Sequence, residues 1–152
     1  MSSYEIKFLT REATEYIYDN LEAIDRIEVD AVYEDRKEFL DDMELTDWSL
    51  CVEIDGTPAM LFGVAPAPSE GIGVPFMLKT PDLKKCKRDF IRRCPEFVES
   101  MQSGYQRLAN IVAKENDVAH TWLEWCGFTI EKKHTLNVKG IDMYLFWREA
   151  DV

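Results

Sequence analysis

Residues 79–93 read KTPDLKKCKRDFIRR and hold seven basic and two acidic side chains, a local balance of +5 in a chain whose net charge is −11. Such an island can hold an anion. Lys84 and Lys85 follow Thr80-Pro81, which reads as a helix N-cap with proline in the first helical position. The reading to be preferred, however, is a solvated helix face that offsets acidic neighbours. A second stretch, NDVAHTWLEWCGF at 116–128, has helical spacing. Asn116 is a good N-cap, Ala119, Trp122, Leu123 and Cys126 share one apolar face, and Gly127 can adopt a left-handed conformation where the helix stops. By itself this is a short, well-terminated helix feeding a strand, with no chemistry of its own. His120 lies off the apolar stripe and reads as a surface residue, and His134 sits in a polar strand stretch. Cys51, Cys86, Cys94 and Cys126 are far apart and have no CxxC pair. They read as small buried apolar residues, ahead of disulfides or of a zinc site drawing on the two histidines.

The elements that position these residues belong to a chain of 152 residues, 46% hydrophobic, with 4 Trp, 6 Tyr and 8 Phe. That length suits one domain over 1–152 with its own core, and the composition excludes global disorder. No run approaches the roughly 20 apolar residues of a membrane span. The N-terminus, MSSYEIKF, lacks the basic and apolar regions of a signal peptide, so a cytoplasmic location is expected. Residues 1–50 hold 15 acidic and 5 basic side chains. An acidic protein approaches a phosphate backbone against its own field, so general nucleic-acid binding is not expected. Dense acid along 12–47 could instead imitate phosphate spacing, although solvated helices explain it without a partner.

Tyr4–Leu9 reads as a first strand, and Thr10 caps a helix with the stripe Ala13, Ile17, Leu21 and Ile24. A second helical region falls within 26–45. Strands at 48–54 and 58–64 flank Asp55-Gly56, a tight-turn pair. A loop at 65–73 leads to a short strand, 74–79, in which Pro75 implies an edge or a bulge. Leu83, Cys86, Phe90, Cys94, Phe97 and Met101 then form an apolar helical seam. Pro95 should kink or divide it, leaving two helical pieces with one buried side. A strand at 105–113, the helix after Asn116, and strands near 128–136 and 141–148 around Lys139-Gly140 complete the chain. Helices between strands imply parallel pairing, and hairpins imply antiparallel pairing.

This order, with Asn116, Ala119, Gly127 and Phe128, resembles the GCN5-related N-acetyltransferase family. The family pattern is Asn-x-x-Ala-x-x-x-Tyr-x-x-x-Gly-Phe. The segments LKTPDLKKCKRDF and YQRLANIV…N…A..WL…GF also look like small acetyltransferase-like proteins of tailed, T7-like bacteriophages, a group that includes an internal virion protein. The resemblance implies one α/β (α+β) domain with a mixed, mostly antiparallel sheet of about six or seven strands covered by helices. It further implies acetyl-CoA as the possible cofactor, with Lys79, Thr80, Lys84, Lys85 and Asn116 beside it. Glu53 or Glu70 would take a proton from an amine, although both fit ordinary polar strand and loop positions. Two departures count against catalysis. Family enzymes hold the diphosphate in a glycine-rich turn, where this chain has Lys79-Thr80-Pro81-Asp82-Leu83. At the position of the family's general-acid tyrosine stands Leu123, which has no proton to give. The expectation is therefore a phage-type domain without catalysis and without a cofactor, acting through a phage or host protein in virion assembly or host interaction. An acyl-CoA-dependent N-acetyltransferase acting on an amine is the alternative, and an acidic nucleic-acid mimic is a further one. No membrane and no metal are expected.

Overall fold

The computed structural model describes residues 3–151, the side chain of Lys87 excepted. The elements in chain order are β1 (Tyr4–Phe8), α1 (Arg11–Asp19), α2 (Ala23–Val32), α3 (Arg36–Met43), β2 (Trp48–Ile54), β3 (Thr57–Pro66) and β4 (Ile72–Lys79). A 3-10 turn (Pro81–Lys85) precedes α4 (Lys87–Gln102), β5 (Arg107–Ala113), α5 (Asp117–Trp125), β6 (Thr129–Ile130), β7 (Leu136–Val138) and β8 (Ile141–Glu149). The sheet runs β1-β2-β3-β4-β5-β8-β6, with β7 also on β8, and every pair is antiparallel except β4–β5. This is the mixed α+β architecture that the pattern implies, with eight strands.

The local chemistry explains most boundaries. Thr10 caps α1 by accepting from Ala13 N–H at 3.1 Å. The expected helical region 26–45 is two helices, and Asp35 starts the second by accepting from Glu38 N–H at 2.9 Å. Asp55-Gly56 and Lys139-Gly140 have positive φ at both residues, the geometry of tight hairpin turns. Helix α4 passes through Pro95 unbroken, and the break in the seam falls at Cys86 instead. The ring removes one helical hydrogen bond, at a cost of about 3 kcal/mol. Burial of Phe90, Cys94, Val98 and Met101 against the sheet outweighs that cost. Helices α4 and α5 cover one sheet face, and α1, α2 and α3 pack on the other.

Pro75 lies on an inner strand, contrary to the edge or bulge expected, and it marks where the sheet opens. Strands β4 and β5 pair only at Ile72↔Arg107 and Gly73↔Leu108. Arg107 N–H donates to Gly71 C=O at 3.1 Å. Bonds along a parallel ladder recur every two residues, so the ladder soon needs an N–H from position 75, which proline lacks. The Asn110 side chain bridges the gap there, its Nδ2 donating to Pro75 C=O at 2.8 Å. Beyond this point the two strands splay apart.

Candidate functional site

The splay opens into a cavity of about 240 Å³ that passes between the two helical layers. Val98, Trp122 and Leu123 line it on the α4–α5 side, and Glu28, Val29 and Tyr33 on the α2 side. The two lips of the gap are β4 up to Lys79 and β5 up to Ala113. Helix α2 faces both with carboxylates. Asp25 Oδ2 accepts from Lys79 N–H at 2.9 Å, and its Oδ1 lies 3.2 Å from Lys79 Nζ. Glu28 Oε1 accepts from Asn116 Nδ2 at 2.7 Å and from Ala113 N–H at 3.2 Å. Both bonds fall on Oε1, and Oε2 of this cavity-lining residue has no protein partner among the described residues. Burial pushes the Asp25 carboxyl above its ordinary value, against the pull of Lys79. Burial likewise raises the Glu28 carboxyl, against its hydrogen bonds from Asn116 and Ala113.

These shifts set a pH dependence. Both folded values lie above the unfolded ones, so the folded state binds protons that the unfolded chain releases. The stability contributed is present below about pH 4, near the unfolded values, and is lost as pH rises through the folded ones. Neutral isosteres lack this titration. The double variant Asp25→Asn/Glu28→Gln is expected to gain stability relative to the parent between pH 4.5 and pH 7, measured by urea unfolding. A constant difference at the two pH values would overturn that assignment.

Lys79 ends β4, its ammonium held by Asp25. Thr80 is buried, and its hydroxyl accepts from Asp82 N–H at 3.2 Å, while its carbonyl accepts from Leu83 N–H at 3.2 Å. Lys84 and Lys85 are exposed in the turn after Lys79, outside the cavity lining, with Lys85 3.5 Å from Asp82. Asn116 is buried and does two jobs, capping α5 through Ala119 N–H at 3.2 Å and holding Glu28. Glu53 is not brought to the splay. It lies on β2, 2.9 Å from Lys7 of β1. Glu70 is exposed in the β3–β4 turn, beyond the closed end of the gap. His120 is buried rather than on the surface, because its Nε2 reaches Ala113 C=O at 3.0 Å and its ring packs on Tyr144. The four cysteines are free, three buried and Cys86 half-buried.

Asp25 and Glu28 were not singled out, although a signal for them exists. With Val29 they stand at i, i+3 and i+4, so two acids share the one face of α2 that carries its buried valine. A charge on an apolar stripe is costly unless something faces it.

Acyl-CoA, which the resemblance implies, fits this site at the acyl-carrying arm. The gap is lined mostly by apolar side chains, and strand alternation turns the N–H and C=O of Met77 toward it. Trp122 lines the cavity, but its Nε1–H is enclosed by protein and is the one buried side-chain polar atom without a hydrogen-bond partner among the described residues. The Cys94 sulfur feels that N–H only as a weak pull on a thiol that burial drives up to about 11. The diphosphate end is met differently. The N–H groups of Asp82 and Leu83 are spent on Thr80, and Pro81 has none, so only the side-chain charge of Lys84 and Lys85 remains.

No protein-family model matches the sequence, and no curated protein matches it. Solved structures match the fold over nearly the whole chain. Ard1 from Thermoplasma volcanium has a TM-score of 0.71 at 13% identity, covering 98% of this chain and 99% of its own. An N-acetyltransferase from Staphylococcus aureus Mu50 has a TM-score of 0.69 at 15% identity, covering 97% and 99%. The yncA protein from Salmonella typhimurium, solved with its cofactor acetyl-CoA, has a TM-score of 0.67 at 14% identity, covering 97% and 94%. The chain thus has the fold of the GCN5-related acetyltransferases. No phage or virion protein is among these structures.

Proposed function

We propose that the protein transfers an acyl group from an acyl-CoA to an amine within the β4–β5 splay. The observation that carries this is Glu28, a cavity-lining carboxylate with one oxygen uncommitted and its carboxyl raised by burial. The likeness to acetyltransferases supports acyl transfer better than the non-catalytic role expected from the sequence. When bound, acyl-CoA supplies an activated acyl carbon for attack by the amine nitrogen, with loss of the thiolate. Glu28 Oε2 takes the proton that the amine must shed, and its raised value makes it a better base than an exposed carboxylate. Asn116 and Ala113 N–H fix the carboxylate from the Oε1 side. Lys84 and Lys85 attract the diphosphate. Leu123 lines the slot and has no proton to give, so the chain provides a base but no acid, and turnover is expected to be slow.

Calorimetric titration with acetyl-CoA, paired with thiol release in the presence of spermidine or butylamine, tests this. Charge without a backbone nest makes binding weak, with a dissociation constant above about 10 μM, since each dipole contribution at a helix end is worth only roughly 0.3–1 kcal/mol. Low-micromolar binding would show that the 80–85 turn holds the diphosphate after all.

A second reading rests on a different observation. The N–H groups of Lys79, Ile111 and Ala113, which border the gap, are all taken by the chain's own Asp25, Asn110 and Glu28. A slot satisfied from within suits a domain that has kept the fold and acts by contact, such as a phage-type protein meeting a phage or host partner. No heat and no thiol release at millimolar acetyl-CoA would favour that role.

A further inference from the structure

We infer that α2 is a strap across the mouth of the splay, tied to one lip by Asp25 and to the other by Glu28, so that releasing either end frees both. The only β4–β5 ladder pairs lie at the closed end of the gap, at Ile72 and Gly73. Past the Asn110–Pro75 bond, the lips are joined through this helix. On the β4 side, Lys79 is held at both peptide groups. Its N–H donates to Asp25 Oδ2 at 2.9 Å, and its C=O accepts from Glu22 N–H at 2.9 Å. The Lys79 ammonium adds a charge-assisted contact to the same carboxylate. On the β5 side, Glu28 Oε1 takes Ala113 N–H at 3.2 Å and Asn116 Nδ2 at 2.7 Å.

The two anchors stand three residues apart on one ten-residue helix, so they move as one body. Ala31, on the same helix, packs against Ala113 and Met143 and fixes its distance from β5. A tilt that lifts Glu28 from Ala113 therefore also lifts Asp25 from Lys79. The Lys79 and Ala113 N–H groups are the last donors before the mouth, and a ligand extending that far competes with the strap for them. As a control on entry, the strap rests on acyl-CoA using this slot. As a mechanical coupling, it does not.

Amide hydrogen exchange of the whole chain, read by NMR at Lys79 and Ala113, tests the coupling without any ligand. Glu28→Ala is expected to speed exchange at Lys79 at least tenfold although Asp25 is intact, and Asp25→Ala to do the same at Ala113. Glu28→Gln should keep most of the protection, since its amide oxygen still accepts. Protection across β2 and β3 reports an intact fold. Should Glu28→Ala lose it, Asn116→Ser takes its place, because serine still caps α5 while removing the Nδ2 donor. Faster exchange confined to the lip whose anchor was removed would overturn the strap. In parallel titrations, acetyl-CoA is expected to bind Glu28→Ala at least threefold more tightly than the parent. Acetyl-CoA failing to bind any of these proteins overturns the acyl-transfer reading, whereas uncoupled exchange overturns the strap, so the two failures are separable.

Discussion

Glutamine at position 28 is expected to lower amine acylation by roughly 10²–10⁴-fold, the usual worth of a positioned general base. The substitution is nearly isosteric. Its amide oxygen can still accept from Asn116 Nδ2 and Ala113 N–H, the two bonds that place Glu28 at the lip of β5. What it loses is an oxygen able to take a proton. The loss should fall on kcat/KM, leave acetyl-CoA affinity within a few-fold, and remove the ascending limb of the pH–rate profile set by the raised carboxyl. A variant acylating amines within threefold of the parent would move the base elsewhere. Asp25 is then a poor substitute, because both its oxygens already face Lys79.

Phe90→Ala should destabilise the fold by about 3–5 kcal/mol, the range for truncating a buried aromatic residue. Phe90 is 2% exposed and packs edge-on to Phe62 of β3, at 5.6 Å between centroids, and beside Phe97 of its own helix. It is the anchor that seats α4 across the sheet. Because a domain of this size has only about 5–15 kcal/mol in total, the variant should sit near its unfolding threshold. Urea denaturation with tryptophan fluorescence would measure the change. A loss below 1 kcal/mol would mean that Phe62 and Phe97 close over the void.

Where a local rule governed an element, the sequence was enough. Thr10, Asn116, Asp55-Gly56, Lys139-Gly140 and Gly127, at φ +90°, all do what their chemistry dictates within a few residues. Where a distant partner governed it, the sequence misled. Pro95 does not break α4, because the sheet beneath supplies more than one lost hydrogen bond removes. His120 is buried by a carbonyl at the end of β5, seven residues earlier in the chain. Trp122 shows both sides. Its place on the apolar face is right, yet it is only half-buried, and its indole N–H is the part enclosed without a partner. The base candidate was hidden for the same reason. Glu28 gains its environment from Asn116, 88 residues away, and only the face it shares with Val29 hinted at that.

The proline that stops the β4–β5 ladder also divides the molecule as a cooperative unit. Strands β1 to β4 form one antiparallel half-sheet, and β5 to β8 form another. Two ladder pairs and one asparagine bond form the isthmus between the half-sheets, with α4 lying across it on one face and α2 tied to both halves on the other. Each half is held along its strands by extended antiparallel ladders, whereas the isthmus has two pairs, so pairing is much denser within the halves than between them. The C-terminal half, residues 105–149, should therefore be able to acquire protection from exchange on its own schedule during refolding. The expected last event is the docking of two half-sheets along a seam that one imino acid keeps from zipping shut.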